Sequence, residues 1–137
     1  MYQKLLIVGN LGGSPEMRFT PSGQAVTNFS VATNRKWTNT DGSQSEEVTW
    51  FRITAWGKLG EVCNQFLAKG RAVLIEGRLT PDKATGGPRI WTGQDGQARA
   101  SFEVTAETVK FLGGPRGNGG QAESAPAPEL GDQDIPF

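Results

Sequence analysis

Residues 48–56 read Val-Thr-Trp-Phe-Arg-Ile-Thr-Ala-Trp. Side chains on an extended strand alternate between faces. One face therefore carries Thr49, Phe51, Ile53 and Ala55, and the other Val48, Trp50, Arg52, Thr54 and Trp56. The first set suits a core. The second displays two indoles with a guanidinium between them, every second residue advancing roughly 7 Å. Flat rings in such a row can stack on unpaired nucleobases while the cations meet phosphates. The same alternation also suits an ordinary strand buried on both faces, since Trp and Thr both favour sheets.

Two further tryptophans have cationic neighbours. Arg35 and Lys36 precede Trp37, and Arg89 precedes Trp91. Trp37 reads either as a ring covering a sheet edge or as a ring presented with its cations on a hairpin arm; adjacent cations favour the second. Other chemistries lack their residues. The chain has no His, which removes the commonest general base and metal ligand. Cys63 is alone, so neither a disulfide nor a cysteine-based zinc site can form, and it reads as a small buried hydrophobe. Carboxylates are present, but no pair is singled out by its setting. The expectation is a protein that is not an enzyme, with no catalytic residue, cofactor or metal.

The 14 basic and 14 acidic residues cancel, but unevenly. Residues 1–112 carry 13 basic and 10 acidic side chains, a net of +3, and residues 113–137 carry Arg116 against four acids, a net of −3. A basic body with an acidic tail suggests an anionic ligand for the one and a different partner for the other. No apolar run approaches the roughly 18 residues of a membrane span, and the start lacks a secretory signal pattern, so a cytoplasmic location is expected.

The elements that must hold these residues follow in order. Leu5–Leu11 is a strand candidate with Gly9 inside it, suggesting a bulge or close backbone approach. Gly12-Gly13-Ser14-Pro15 breaks it, and Glu16–Phe19 could continue the sheet. Residues 25–34 form a second strand with Phe29, Val31 and Thr33 on one side, and Asp41-Gly42 marks a hairpin into residues 48–56. The period then changes: Leu59, Val62, Cys63, Phe66 and Leu67 make a helical stripe, which predicts a helix over 57–69 with Lys69 in its last turn and Gly70 at the left-handed C′ position. Residues 71–79 return to strand, with Val73, Ile75, Gly77 and Leu79 on one face and Ala72, Leu74, Glu76 and Arg78 on the other. Residues 80–88 form a loop, and 89–92 with 98–112 a second hairpin in which Phe102, Val104 and Ala106 face one way. From residue 113 the Gly- and Pro-rich composition predicts a disordered tether. It ends Asp132-Gln133-Asp134-Ile135-Pro136-Phe137, acidic charge leading into a terminal hydrophobe, which suits a docking peptide.

Three strands, one short helix, then two strands match the all-β, five-stranded Greek-key barrel of the OB-fold, with its helix between strands 3 and 4. The predicted organisation is a barrel domain over 1–112 and a tail over 113–137.

In this frame the chain resembles bacterial-type single-stranded DNA-binding proteins. The resemblance rests on Ile7-Val8-Gly9-Asn10-Leu11-Gly12, on Pro15-Glu16-Met17-Arg18-Phe19-Thr20-Pro21-Ser22-Gly23, on Trp50-Phe51-Arg52 running into Trp56-Gly57-Lys58-Leu59, on Leu74-Ile75-Glu76-Gly77 and on the final Asp134-Ile135-Pro136-Phe137. It implies a homotetramer that wraps unpaired DNA with little sequence preference during replication, recombination and repair, associated with the nucleoid. It implies that Trp37, Trp50, Trp56 and Trp91 stack on bases and that Arg18, Arg52, Lys58 and Lys69 line the DNA path, joined by Arg35, Lys36 and Arg89 from the residue pattern. It also implies that the tip around Asp132, Asp134, Ile135, Pro136 and Phe137 docks replication, recombination and repair enzymes. Two features depart from the pattern. The 80–88 loop is longer than the family's usual connection, and Gly131 and Gln133 interrupt the tail's charge. The alternatives are an OB-fold accessory factor binding RNA or a primosome assembly, against which the terminal tripeptide argues, and a sugar binder, which would not need the cations.

Overall fold

A computed structural model describes residues 1–113. The alternation of residues 44–56 governs the architecture. In β4 (Gln44–Trp56), Ile53 and Ala55 are fully buried, Thr49 and Phe51 partly so, and Val48, Trp50, Arg52 and Trp56 point out. β4 pairs antiparallel with β3 (Ala25–Thr38) and parallel with β7 (Ala98–Phe111). β7 pairs with β5 (Ala72–Leu79), and β5 with β1 (Leu5–Leu11). β1 then meets β3 through Asn10↔Ala32 and Leu11↔Val31, so five strands close on themselves as the sequence predicts. Two short strands extend the barrel: β2 (Glu16–Phe19) lies on β3, and β6 (Arg89–Thr92) on β7.

The core fills from the inward residues of all five barrel strands, with Val31, Ile53, Val73, Ile75 and Val104 fully buried. Glycine permits close backbone approach where strands crowd. A Cβ on Gly9 would run into the Ala32 carbonyl, and one on Gly77 into that of Thr105. At Glu76/Gly77 the register shifts, with Glu76 opposite Thr108 and Gly77 opposite Ala106, leaving Glu107 as an extra residue. Inward parity in β7 accordingly passes from Val104 and Ala106 to Val109. Phe102 shares the parity of Val104, as expected, but lies past the barrel, 54% exposed, with its ring tilted against Phe51.

The helix α1 (Gly57–Phe66) joins β4 to β5 and buries Gly60 and Cys63. Thr27 Oγ1 donates to the Gly60 carbonyl at 2.7 Å, tying the helix to β3. The helix is shorter than the predicted 57–69. Leu67 is already extended (φ −94°, ψ 153°) and is turned into the core, 6% exposed. Gly70 does take a positive φ of 87°, but in a tight turn in which Arg71 N–H donates to the Ala68 carbonyl and Gly70 N–H to that of Leu11. Lys69 therefore stands in that turn, not at a helix end.

β3 is longer than the predicted 25–34. Its pairing with β4 continues to Thr38↔Gln44, so Arg35, Lys36 and Trp37 are strand residues on a ribbon that outruns the barrel. Asp41 and Gly42 lie in the turn, as the hairpin signal requires, with Gly42 at φ 90°. Asp41 Oδ1 accepts from both the N–H and the hydroxyl of Ser43, which holds its carboxyl below the ordinary range. The 80–88 loop folds back on itself through Asp82 N–H to the Gly87 carbonyl and Gly86 N–H to the Asp82 carbonyl. The docking-tip residues Asp132, Asp134, Ile135, Pro136 and Phe137 lie outside the described residues.

Candidate nucleic-acid interface

The outward row of β4 is flanked on both sides by residues of matching parity. On β3, Ala32 stands opposite Trp50, Ser30 opposite Arg52, Asn28 opposite Thr54 and Val26 opposite Trp56. On β7, Glu103 stands beside Arg52. β6 brings in the last tryptophan, since Arg89 pairs with Ser101 and Trp91 with Arg99. Trp50 is 53% exposed and Trp56 44%, far more than an indole buried on both faces would be. The reading of 48–56 as an ordinary two-sided buried strand therefore fails.

A groove of about 460 Å³ runs over this face, lined among others by Val48, Trp50, Arg52, Trp91 and Phe102. A second of about 290 Å³ lies towards the β1–β2 connection, with Gly12, Glu16 and Asn28 among its walls. The two share Ser30, Trp50 and Arg52, so they form one path that passes Trp50 and Arg52 at its middle.

The cations divide into two groups. Among the described residues, Lys36, Arg52, Lys58 and Lys69 have no carboxylate within 4.0 Å. Arg18 donates to Asn28 Oδ1 at 2.6 Å, and Asn28 Nδ2 donates to Thr54 Oγ1 at 2.8 Å. That chain fixes Arg18 beside Val26, whose other cross-strand neighbour is Trp56. Arg35 and Arg89 are engaged. Arg35 lies over the Trp37 ring at 4.5 Å and Arg89 over the Trp91 ring at 4.6 Å, each beside a carboxylate: Glu47 at 3.2 Å and Glu103 at 3.8 Å. Glu103 also accepts from the Ser101 hydroxyl at 2.8 Å.

The expected site residues do not all converge. Trp50, Trp91 and Arg52 share the larger groove, and Trp56 and Arg18 continue the same face of the sheet. Trp37 and Arg35 pair with Ser45 and Glu47, on the parity of Phe29 and Val31, so they sit on the other side of the β3–β4 ribbon. Lys36, opposite Glu46, has the parity of Trp50. Lys58, on the first turn of α1, and Lys69, in the turn before β5, line neither groove. Sequence reasoning missed Asn28, Glu47 and Glu103, which hold the arginines. Nothing in the pattern marks them until the strands are registered.

Rings and cations equip this face to stack bases and neutralise phosphates. The helix is placed to close the barrel, leaving strands to present the surface. Burial pushes the Cys63 thiol up to about 12, so it is held neutral inside the core. Among the described residues no group of three or more His, Cys, Asp or Glu side chains could hold a metal, and no helix is long and apolar enough to cross a membrane.

The profile described as "Single-strand binding protein family" matches residues 2–112. A single-stranded DNA-binding protein of Wolinella succinogenes is 42% identical over 112 residues, covering 82% of this chain and 65% of the relative. One from Neisseria meningitidis is 40% identical over 119 residues, covering 87% and 64%. The chain thus spans just under two-thirds of the length of both. A solved structure described as a Plasmodium falciparum SSB complex with ssDNA superposes with a TM-score of 0.66 at 24% identity, over 82% of this chain and 96% of that one, and shows the shared fold.

Proposed function

We propose, because this chain belongs to the single-strand binding protein family, that it coats unpaired DNA along the β4 face without catalysis. The observation that carries this is the outward row Trp50–Arg52–Trp56, with Trp50 and Arg52 at the middle of a continuous groove and Trp56 further along the same sheet face. Strand-borne rings read the faces of bases, which every base possesses, so little sequence preference follows. The protein then serves replication, recombination and repair, which all expose single strands, and works at the nucleoid.

Two further parts belong to the same reading. The outer face of β1 leaves Leu6 62% and Val8 55% exposed, opposite Glu76 and Leu74 of β5. Contiguous exposed apolar side chains mark contacts, and here the partner is a further copy of the chain in a homotetramer. The tip around Asp132, Asp134, Ile135, Pro136 and Phe137 recruits replication, recombination and repair enzymes. Its two apolar anchors, Ile135 and Phe137, beside the acidic Asp132 and Asp134 suit an apolar pocket with a cation beside it.

The test is a titration of the full chain with single-stranded DNA, duplex DNA and RNA of equal length at two salt concentrations. Tight, salt-sensitive binding to the single DNA strand with quenching of indole emission is expected. Equal affinity for the duplex would overturn the reading, and a clear preference for RNA would favour the accessory-factor alternative.

A further inference from the structure

We propose, building on the reading of Trp50 as a base-stacking ring, that Gly12 is a positioning residue: it seats the Trp50 indole and keeps one face of it open to the groove. Gly12 lies between β1 and β2, and its N–H donates to the Ser30 carbonyl at 3.0 Å, so its backbone is tied to β3. A Cβ at this position would lie 2.7 Å from Cη2 of Trp50 and closer still to Cζ3. The distal edge of the indole therefore rests directly on the Gly12 backbone.

The missing side chain at Gly12 has no conformational cause. Its φ is not in the positive region that favours glycine, unlike that of Gly23, Gly42 or Gly70. It is also exposed, so the space is not closed off by the barrel core. The three atoms nearest its would-be Cβ all belong to the Trp50 ring. Gly60 and Gly77 differ, since a Cβ there would collide with the backbone carbonyls of Ala55 and Thr105, which cannot yield. At Gly12 the obstruction is the far end of a side chain with two rotatable bonds and solvent beyond it. A methyl group there displaces the ring and leaves the barrel intact. The ring's direction is thus set by a residue on another strand connection, and Gly12 and Trp50 line the same groove, together with Ser30 and Arg52.

The experiment is a double-variant cycle on the full chain, with Gly12→Ala, Trp50→Phe and the two combined, measured against an oligothymidine. Gly12→Ala should keep its thermal midpoint within about 5 °C of the parent and bind about five- to a hundredfold more weakly, the loss of one base stack. Its DNA-free indole emission should be more readily quenched by acrylamide, because the displaced ring is more exposed. Trp50→Phe lacks the distal atoms that meet Gly12, so adding Gly12→Ala to it should change affinity less than twofold. A rescue of the thermal midpoint by Trp50→Phe, should Gly12→Ala prove unstable, would also support the seat. Parent-like affinity of Gly12→Ala, or an undiminished loss in the Trp50→Phe background, would overturn the proposal while leaving DNA binding in place. Failure of the parent to bind the oligonucleotide would overturn the functional reading and the proposal with it.

Discussion

At the scale of the residue, the four tryptophans are not equivalent. Trp37 and Trp91 carry a guanidinium over the ring, each beside a carboxylate, whereas no cation is stacked on Trp50 or Trp56 among the described residues. An exposed cation–π contact contributes about 0.5–1 kcal/mol and a surface ion pair about 0–1 kcal/mol. A base stack contributes about 1–3 kcal/mol. The stack prevails, but part of it offsets the contact it displaces. Trp50→Ala should therefore weaken binding by about 1–3 kcal/mol, and Trp37→Ala by less, compared through dissociation constants at one salt concentration. The cations should divide the same way. Neutralising Z phosphates on a single strand gives a log–log salt slope of about −0.7Z. Arg52→Ala should make the slope shallower by about 0.7, and Arg35→Ala by less, because Glu47 already compensates Arg35; equal changes would deny the division. Cys63 gives a separate pH signature. Its thiol is raised from 9.0 to about 12, so the unfolded chain loses that proton first. Stability from this group is whole below pH 9 and declines as pH rises from 9 towards 12. A thiol reagent at pH 8 should react with Cys63 only as fast as the barrel opens.

At the scale of the element, strands with one buried and one open face were the most legible. β4 alternates strictly, and its inward and outward sets come out as the period of two requires. β5 does the same as far as Gly77, with Val73, Ile75 and Gly77 buried, but Leu79, expected on that face, is exposed at the strand's end. The end of α1 was not legible. Leu67 fits the helical stripe and Gly70 fits a C′ glycine, but burying Leu67 in extended form and bonding Gly70 N–H to Leu11 ends the helix at Phe66. Local propensity gave way to tertiary contact. The side of the ribbon on which Trp37 lies was likewise hidden, because parity acquires meaning only once Arg35 is paired with Glu47. Gly77 shows what an element-level error costs. Its α-hydrogen faces the Thr105 carbonyl at the bulge, where neither strand can retreat without breaking the β5–β7 ladder. Gly77→Ala should destabilise by about 1–3 kcal/mol or more, read from the urea midpoint, while the folded fraction keeps its DNA affinity. A midpoint unchanged from the parent would show that the bulge can yield.

At the scale of the whole molecule, one barrel carries a net charge of only +3 over residues 1–112. Its candidate DNA-path cations are spread between the β4 face, the β3–β4 ribbon, the first turn of α1 and the turn before β5. A single barrel therefore meets few phosphates, and its affinity should be modest and its salt slope shallow. Assembly changes this without any new contact to DNA, because a strand held by one barrel reaches the next at high effective concentration. The outer face of β1 is suited to such assembly. Leu6 and Val8 are more than half exposed, Leu74 lies beside Val8 half-buried, and an apolar pair facing water gains about 25 cal/mol for each Å² covered. Placing a charge there tests both halves of the idea, since β1 keeps its inward residues Ile7 and Leu11 and so keeps its fold. Val8→Glu should convert the oligomer to a monomer by light scattering at micromolar concentration. It should leave affinity for an oligonucleotide short enough for one barrel nearly unchanged, and weaken binding to a strand of several such lengths by about a hundredfold or more. An equal loss for short and long strands would place Val8 in the DNA contact itself. A parent protein that is already monomeric would remove the assembly and leave the β1 face without this role.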